Sequence, residues 1–306
     1  MREIAIYNGD FCNCNAKLFV VLLSQQNNME VISMRYRLAA FADEAANDLT
    51  GQITAMKKNG VELLEIRGVD GQNIDQLTCE KAREIRRRLD DEGLGVWSLG
   101  SPFGKIGIND DFAPHLDSFR HSLELADILG AKHIRLFSFY GTSQIDPVLE
   151  RLRAFVQAAK GTDMILCHEN EKGIYGDKAD KCLEIHKAIP ELKAVFDPAN
   201  FIQCGEDTLR AWELLSPYVE YMHIKDALSD GSVVPAGRGE GELAWLIPQY
   251  KGEVLTVEPH LSVFEGFDKL ETEQKTKMQY TYPDSQTAFA AAVDALKEIT
   301  GGKKNG

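Results

Sequence analysis

The chain has 306 residues, 44% of them hydrophobic, and a formal net charge of −13. So acidic a balance opposes non-specific nucleic-acid binding, which needs clustered Lys and Arg against phosphates, and no run reaches the ~18 apolar residues that span a bilayer. Six cysteines, Cys12, Cys14, Cys79, Cys167, Cys182 and Cys204, follow no disulfide-framework or zinc-ligand spacing, as expected of reduced thiols in a cytoplasm.

Residues 1–33 carry neither a helical nor a strand period. Their apolar stretch Leu18–Leu23 is too short for a signal-peptide core, and no small-residue cleavage site follows closely. They are expected to be a dispensable, irregular extension ahead of a start at Met29 or Met34. From residue 34 the chain alternates short apolar runs with amphipathic segments. Strands are expected at Tyr36–Ala42, Val61–Arg67, Leu94–Leu99, His133–Phe139, Asp163–His168, Lys193–Phe196, Val219–Ile224 and Glu253–Val257. Between them lie helix patterns: "LTGQITAMKKNG" stops at Gly60, "TCEKAREIRRRLDDEG" opens on Thr78 and stops at Gly93, "FAPHLDSFRHSLELADILG" stops at Gly130, and "DSQTAFAAAVDALKEITG" opens on Asp284.

Strand then helix, about eight times in ~270 residues, is the count for a closed (β/α)8 TIM barrel. The expected domain organisation is a single barrel over residues 34–300 with a flexible tail at 301–306. Continuously apolar strands fit a parallel sheet buried on both faces. An open doubly wound sheet would usually carry a glycine-rich phosphate turn after its first strand, and "FADEAAND" has none. Long connections follow strands three, seven and eight: "GSPFGKIGINDDF", "KDALSDGSVVPAGRGEGE" and "PHLSVFEGFDKLETEQ". All leave the carboxyl ends of strands, where barrel enzymes build their sites.

Strands five to eight each end on a strongly polar group: Glu169 in "ILCHE", Asp197 in "AVFD", His223 in "YMHI" and Glu258 in "LTVE". Singly these are weak signals, since an Asp before Pro is usually a turn residue and a lone strand histidine a core group. Neighbouring barrel strands bring all four to one point, where three carboxylates repel unless a cation sits between them. An oxygen-rich set with one imidazole suits one divalent ion, Mn²⁺ or Mg²⁺ first, with Co²⁺ or Zn²⁺ as alternatives.

The motifs "HENEKGIYGD", "FDPANF", "MHIKDA" and "VEPH", with "SPFGKIGI" and "RLFSFY", resemble the sugar phosphate isomerase/epimerase family of the xylose isomerase-like TIM barrels (the AP endonuclease family 2 superfamily), over about residues 34–300. The resemblance implies a single-metal site of Glu169, Asp197, His223 and Glu258, with the two glutamates also acting as acid and base on opposite sides of the substrate carbon. The chemistry agrees: an ion that polarises a sugar carbonyl acidifies the neighbouring C–H, and a carboxylate can take that proton to give an enediolate.

Other polar groups are weighed beside these. His168 is either a base or, by strand alternation, a group pointing away from Glu169. Glu171 accepts a substrate hydroxyl or is a solvated loop acid. Asn200 stands where some epimerases of the superfamily have a histidine, which counts against a specific ketose 3-epimerase. Lys105, Lys225 and Arg238 could hold hydroxyls or a phosphate, or be plain surface cations. Glu65 orients substrate or pairs with Arg67, and Trp97 is expected in the core.

The expected function is a divalent-metal-dependent isomerase or epimerase of a sugar or sugar phosphate, acting alone or as a homo-oligomer. The alternative is a lyase or dehydratase on a 3-keto-sugar or 3-keto-glycoside, which in C-glycoside-cleaving relatives works with a small partner subunit. An endonuclease IV-like DNA repair enzyme is disfavoured by the acidic charge and by the lack of histidines at strands two and three. No nucleic-acid or membrane partner is expected.

Overall fold

The computed structural model describes residues 36–262 and 277–301. The expected extension, residues 302–306 of the expected tail and most of the connection after strand eight lie outside them. Eight parallel strands form the centre: β1 (Arg37–Ala40), β2 (Leu63–Ile66), β3 (Gly95–Leu99), β4 (His133–Leu136), β5 (Ile165–Glu169), β6 (Lys193–Phe196), β7 (Val219–Ile224) and β8 (Val254–Val257). They close in the order β1-β8-β7-β6-β5-β4-β3-β2. The seam is β1 against β8, with Arg37 opposite Val254 and Ala40 opposite Val257. The closed ring excludes the open doubly wound sheet.

Helices α1 (Leu49–Lys58), α2 (Cys79–Asp91), α3 (Phe112–Leu129), α4 (Ile145–Ala158), α5 (Ala179–Ala188), α6 (Pro198–Gln203), α7 (Thr208–Leu215), α8 (Leu243–Gln249) and α9 (Ser285–Thr300) surround the barrel. Their starts follow the sequence chemistry. The side chains of Asp48, Thr78, Asp111 and Asp284 accept the first free N–H groups of α1, α2, α3 and α9, each such cap contributing about 1 kcal/mol. The main core lies between strands and helices and includes Ile66, Leu99, Leu136, Phe155, Leu246 and Phe289.

Because successive strand side chains face opposite ways, one residue in two enters the barrel. The lower interior is mostly apolar: Ala39, Leu63 and Val254 form one cluster and Cys167, Val195 and Tyr221 another, both touched by Trp97, on which the buried His133 ring stacks at 4.0 Å. Two residues further along the same columns stand Glu65, Glu169, Asp197, His223 and Thr256, all buried. The barrel is therefore a greasy plug under a polar layer at its carboxyl end.

The connection after β3 is fixed against the chain leaving β4. Phe137 and Phe139 donate backbone N–H groups to Phe103 and Gly104 carbonyls at 2.7 and 2.9 Å, and Tyr140 donates to Ile106 at 3.0 Å. Gly104 has φ 93°, and a Cβ there would fall 2.0 Å from the Phe137 carbonyl oxygen, so only glycine fits. This pairing holds Lys105 at the rim of the polar layer.

Candidate metal centre

Glu169, Asp197, His223 and Glu258 each offer a ligand atom within 4.8 Å of the others, and all four are buried. His223 Nδ1 stands 2.9 Å from Glu169 Oε1 and 3.7 Å from Glu258 Oε2. Its other nitrogen, Nε2, lies 3.2 Å from Glu65 Oε2, and Glu65 also accepts from the Tyr221 hydroxyl at 2.9 Å. A carboxylate behind the far nitrogen fixes the ring and directs Nδ1 at the cluster, the arrangement common behind metal-binding histidines.

Asp197 caps α6, accepting from Asn200 N–H at 2.9 Å, with Pro198 next. Asn170 clamps it: its amide donates to the Asp197 carbonyl and its side-chain oxygen accepts the Asp197 N–H, both at 2.9 Å. Asn200 Nδ2 reaches Glu169 Oε1 at 3.3 Å. The ends of β5 and β6 are thus locked together, and the Glu169 and Asp197 carboxylates with them.

Cations complete the layer. Arg135 Nη1 is 3.2 Å from Glu169 Oε2. Lys225 Nζ bridges Glu258 Oε2 at 2.7 Å and Asp197 Oδ2 at 3.0 Å. Arg67 pairs with Asp43 and Glu44 and reaches Glu258 Oε1 at 3.5 Å. The guanidinium of Arg67 lies 4.5 Å over the Phe41 ring, and that of Arg135 4.8 Å over Phe137, contacts that favour a desolvated cation.

Five buried carboxylates, Glu44, Glu65, Glu169, Asp197 and Glu258, face three permanent cations, Arg67, Arg135 and Lys225. The acids respond to burial and to these neighbours in different directions. Burial pushes Asp197 up to about 7 against the pull of Lys225, and Glu44 up to about 8 against Arg67. Burial would also raise Glu258, but Lys225, with His260, His223 and Arg67, outweighs it and holds that carboxyl well below the usual range. Burial disfavours the His223 cation, yet Glu169 and Glu65 lift its pKa to about 10. Glu169 Oε2 and Asp197 Oδ2 receive no well-directed hydrogen bond among the described residues; each only faces a cation. Two oxygens so placed, an aimed imidazole and three carboxylates converging within 4.8 Å fit a divalent ion at these four side chains.

The other expected site residues fall in three places. Lys225, Asn200 and Glu65 are in the cluster, Glu65 behind His223 and bonded to it rather than to Arg67. Lys105 and Glu171 pair with each other at 2.9 Å at the rim, where Lys105, with other lysines, holds the Glu171 carboxyl well down against burial. His168 and Arg238 stand apart. The His168 ring packs against His186 of α5 at 5.6 Å, on the outer face of β5, and burial depresses its pKa. Arg238 is exposed and pairs with Glu298 of α9 at 3.3 Å. Arg135, Tyr221, Glu44 and His260 were not anticipated as site residues. Arg135 and Tyr221 share the inward column of their strands, a parity that the residues themselves carry.

The chain belongs to the xylose isomerase-like TIM barrel family, whose model matches residues 53–268. It is 21% identical over 206 residues to a 3-dehydroshikimate dehydratase from Bacillus anthracis, spanning 65% of this chain and 70% of that one. The crystal structure of the probable 3-DHS dehydratase AsbF from Bacillus anthracis superposes with a TM-score of 0.66 at 16% identity, covering 86% of this chain and 98% of the other. L-ribulose 3-epimerase gives 0.65 at 17% identity, with 87% and 94% covered. The IOLI protein, solved with a zinc atom, gives 0.64 at 14% identity over 87% and 98%. A Mycobacterium smegmatis barrel solved with magnesium gives 0.64 at 14% identity over 88% and 98%. At these identities the structural likeness establishes the fold.

Proposed function

We propose that the protein is a divalent-metal-dependent isomerase or epimerase that enolises a small polyhydroxylated carbonyl compound, a sugar or sugar phosphate. The observation that carries this reading is that Glu169 and Glu258 flank one imidazole nitrogen inside a buried, cation-lined layer at the carboxyl end of the barrel. Glu169, Asp197, His223 and Glu258 would hold the ion, which when bound supplies Lewis-acid polarisation of a carbonyl.

The remaining work belongs to the chain. Lys225 and Arg67 keep Glu258 ionised and so able to accept a proton from the carbon beside the carbonyl. Glu169, held by Arg135, takes or returns a proton from the other side of the cluster. Arg135 and Lys225 offer fixed positive charge to the oxygen on which negative charge develops. Lys105 and Glu171 at the rim are placed to meet substrate hydroxyls, and a phosphate if there is one, next to Lys105.

The test is incubation of the Mn²⁺-loaded protein with ketoses and aldoses in D₂O, followed by NMR. Deuterium is expected at the carbon next to the carbonyl, with incorporation lost in Glu169→Gln and Glu258→Gln. Undiminished exchange in both variants would remove the two glutamates from the mechanism. A second reading is favoured by the dehydratase similarity: the same proton abstraction followed by departure of a β-hydroxyl as water. Accumulation of an unsaturated, dehydrated product without an epimer would select it.

A further inference from the structure

Away from the barrel centre, Cys79 at the start of α2 meets His121 and Glu124, three residues apart on one face of α3. Cys79 Sγ lies 3.7 Å from Glu124 Oε2, and His121 Nδ1 lies 4.0 Å from the same oxygen. One donor atom from each of the three falls within 4.8 Å of the others. Donors bound about 2.0–2.3 Å from a common tetrahedral ion lie roughly 3.5 Å apart, so small side-chain shifts complete the set.

A second, independent feature concerns the imidazole. His121 Nε2 is 2.8 Å from the Leu77 carbonyl oxygen. A carbonyl only accepts, so Nε2 carries the proton, and in the neutral ring Nδ1 keeps its lone pair, 4.0 Å from Glu124 Oε2. The ring is thus oriented by a backbone carbonyl two residues before Cys79, on the very segment that delivers the thiol. That is how protein frames hold a ligating histidine.

The geometry points to a second divalent-metal site, formed by Cys79, His121 and Glu124, for a thiophilic ion of the zinc class. Thiolate, imidazole and carboxylate together select that class over magnesium or calcium. His121 is half-buried and Glu124 is exposed, so water completes the coordination, and the ion ties the start of α2 to the middle of α3. No sequence spacing advertises the site, because its ligands come from two helices. It stands independently of the metal proposed at the barrel centre, whose ligands include no sulfur.

Cobalt(II) titration of the reduced, metal-free full-length protein tests it, since only sulfur ligation gives a thiolate-to-cobalt charge-transfer band. The band is expected in the wild type and is expected to vanish in Cys79→Ser. Its midpoint should move to roughly tenfold or more higher cobalt in His121→Gln and in Glu124→Gln, with circular dichroism unchanged in all three. No band in the wild type overturns the proposal. So does a band that survives Cys79→Ser, or one lost only when Cys12 and Cys14 are changed to Ser.

Discussion

At the scale of single residues, the most informative contact is the one behind His223. Glu65 holds Nε2 while Nδ1 turns to the carboxylates, so Glu65 governs the ring's orientation without being one of the four candidate ligands. Glu65→Gln removes the charge but keeps the shape. It is expected to weaken Mn²⁺ binding about 10- to 100-fold, read by calorimetric titration; unchanged affinity would show that Glu65 has no such hold. Lys225 poses the complementary case. Its ammonium bridges Asp197 and Glu258, where it competes with an ion for the same oxygens. Lys225→Met is therefore expected to leave Mn²⁺ binding intact or stronger while lowering deuterium exchange on substrate at least about tenfold, as loss of one charge-stabilising group does. Weaker Mn²⁺ binding in that variant would contradict the competition.

Among the elements, the strands were the most legible. All are short and most are apolar, and β6 and β7 run over the expected residues. The convergence of Glu169, Asp197, His223 and Glu258 was legible too, because each ends an apolar run. What the sequence concealed was the partner of each charge. Arg135 sits mid-strand, where a guanidinium reads as an anomaly until a neighbouring strand supplies Glu169. The connection after β7 was harder still. "AGRGEGE" looked like a loop open to substrate, but its glycines serve Asp226, which accepts backbone N–H groups from Ala227, Gly237, Gly239 and Gly241 at 2.9–3.0 Å. These donors lie up to fifteen residues from their acceptor, beyond any local pattern. A Cβ on Gly239 would fall 2.3 Å from Asp226 Oδ1 and 2.4 Å from the Ala227 carbonyl. Gly239→Ala is therefore expected to cost about 1–3 kcal/mol, lowering Tm by roughly 2–4 °C per kcal/mol in a thermal melt. An unchanged Tm would mean the loop does not wrap Asp226 in this way.

For the whole molecule, a barrel with a charged layer inside and helices outside has one response to acid that lies away from the central cluster. On the outside, burial pushes His186 of α5 down to about 4. Its folded state thus stays neutral while the unfolded chain takes up a proton below about 6.5. The sign follows: His186 contributes its full stability above about pH 6.5, and that contribution drains away as the pH falls towards 4, on the order of 3 kcal/mol in all. Denaturant melts across this window should show the wild type losing stability faster than His186→Gln; parallel curves would contradict it. No helix among the described residues is long and apolar enough to cross a membrane. On the inside, the function proposed for the barrel requires that the four strand ends hold an ion. The direct measurement is anomalous diffraction at the manganese edge from crystals soaked in Mn²⁺. The expected result is a peak bounded by Glu169, Asp197, His223 and Glu258, with Lys225 drawn away from Asp197. A Mn²⁺-soaked crystal with no peak there, and Lys225 still bridging Asp197 and Glu258, would contradict it.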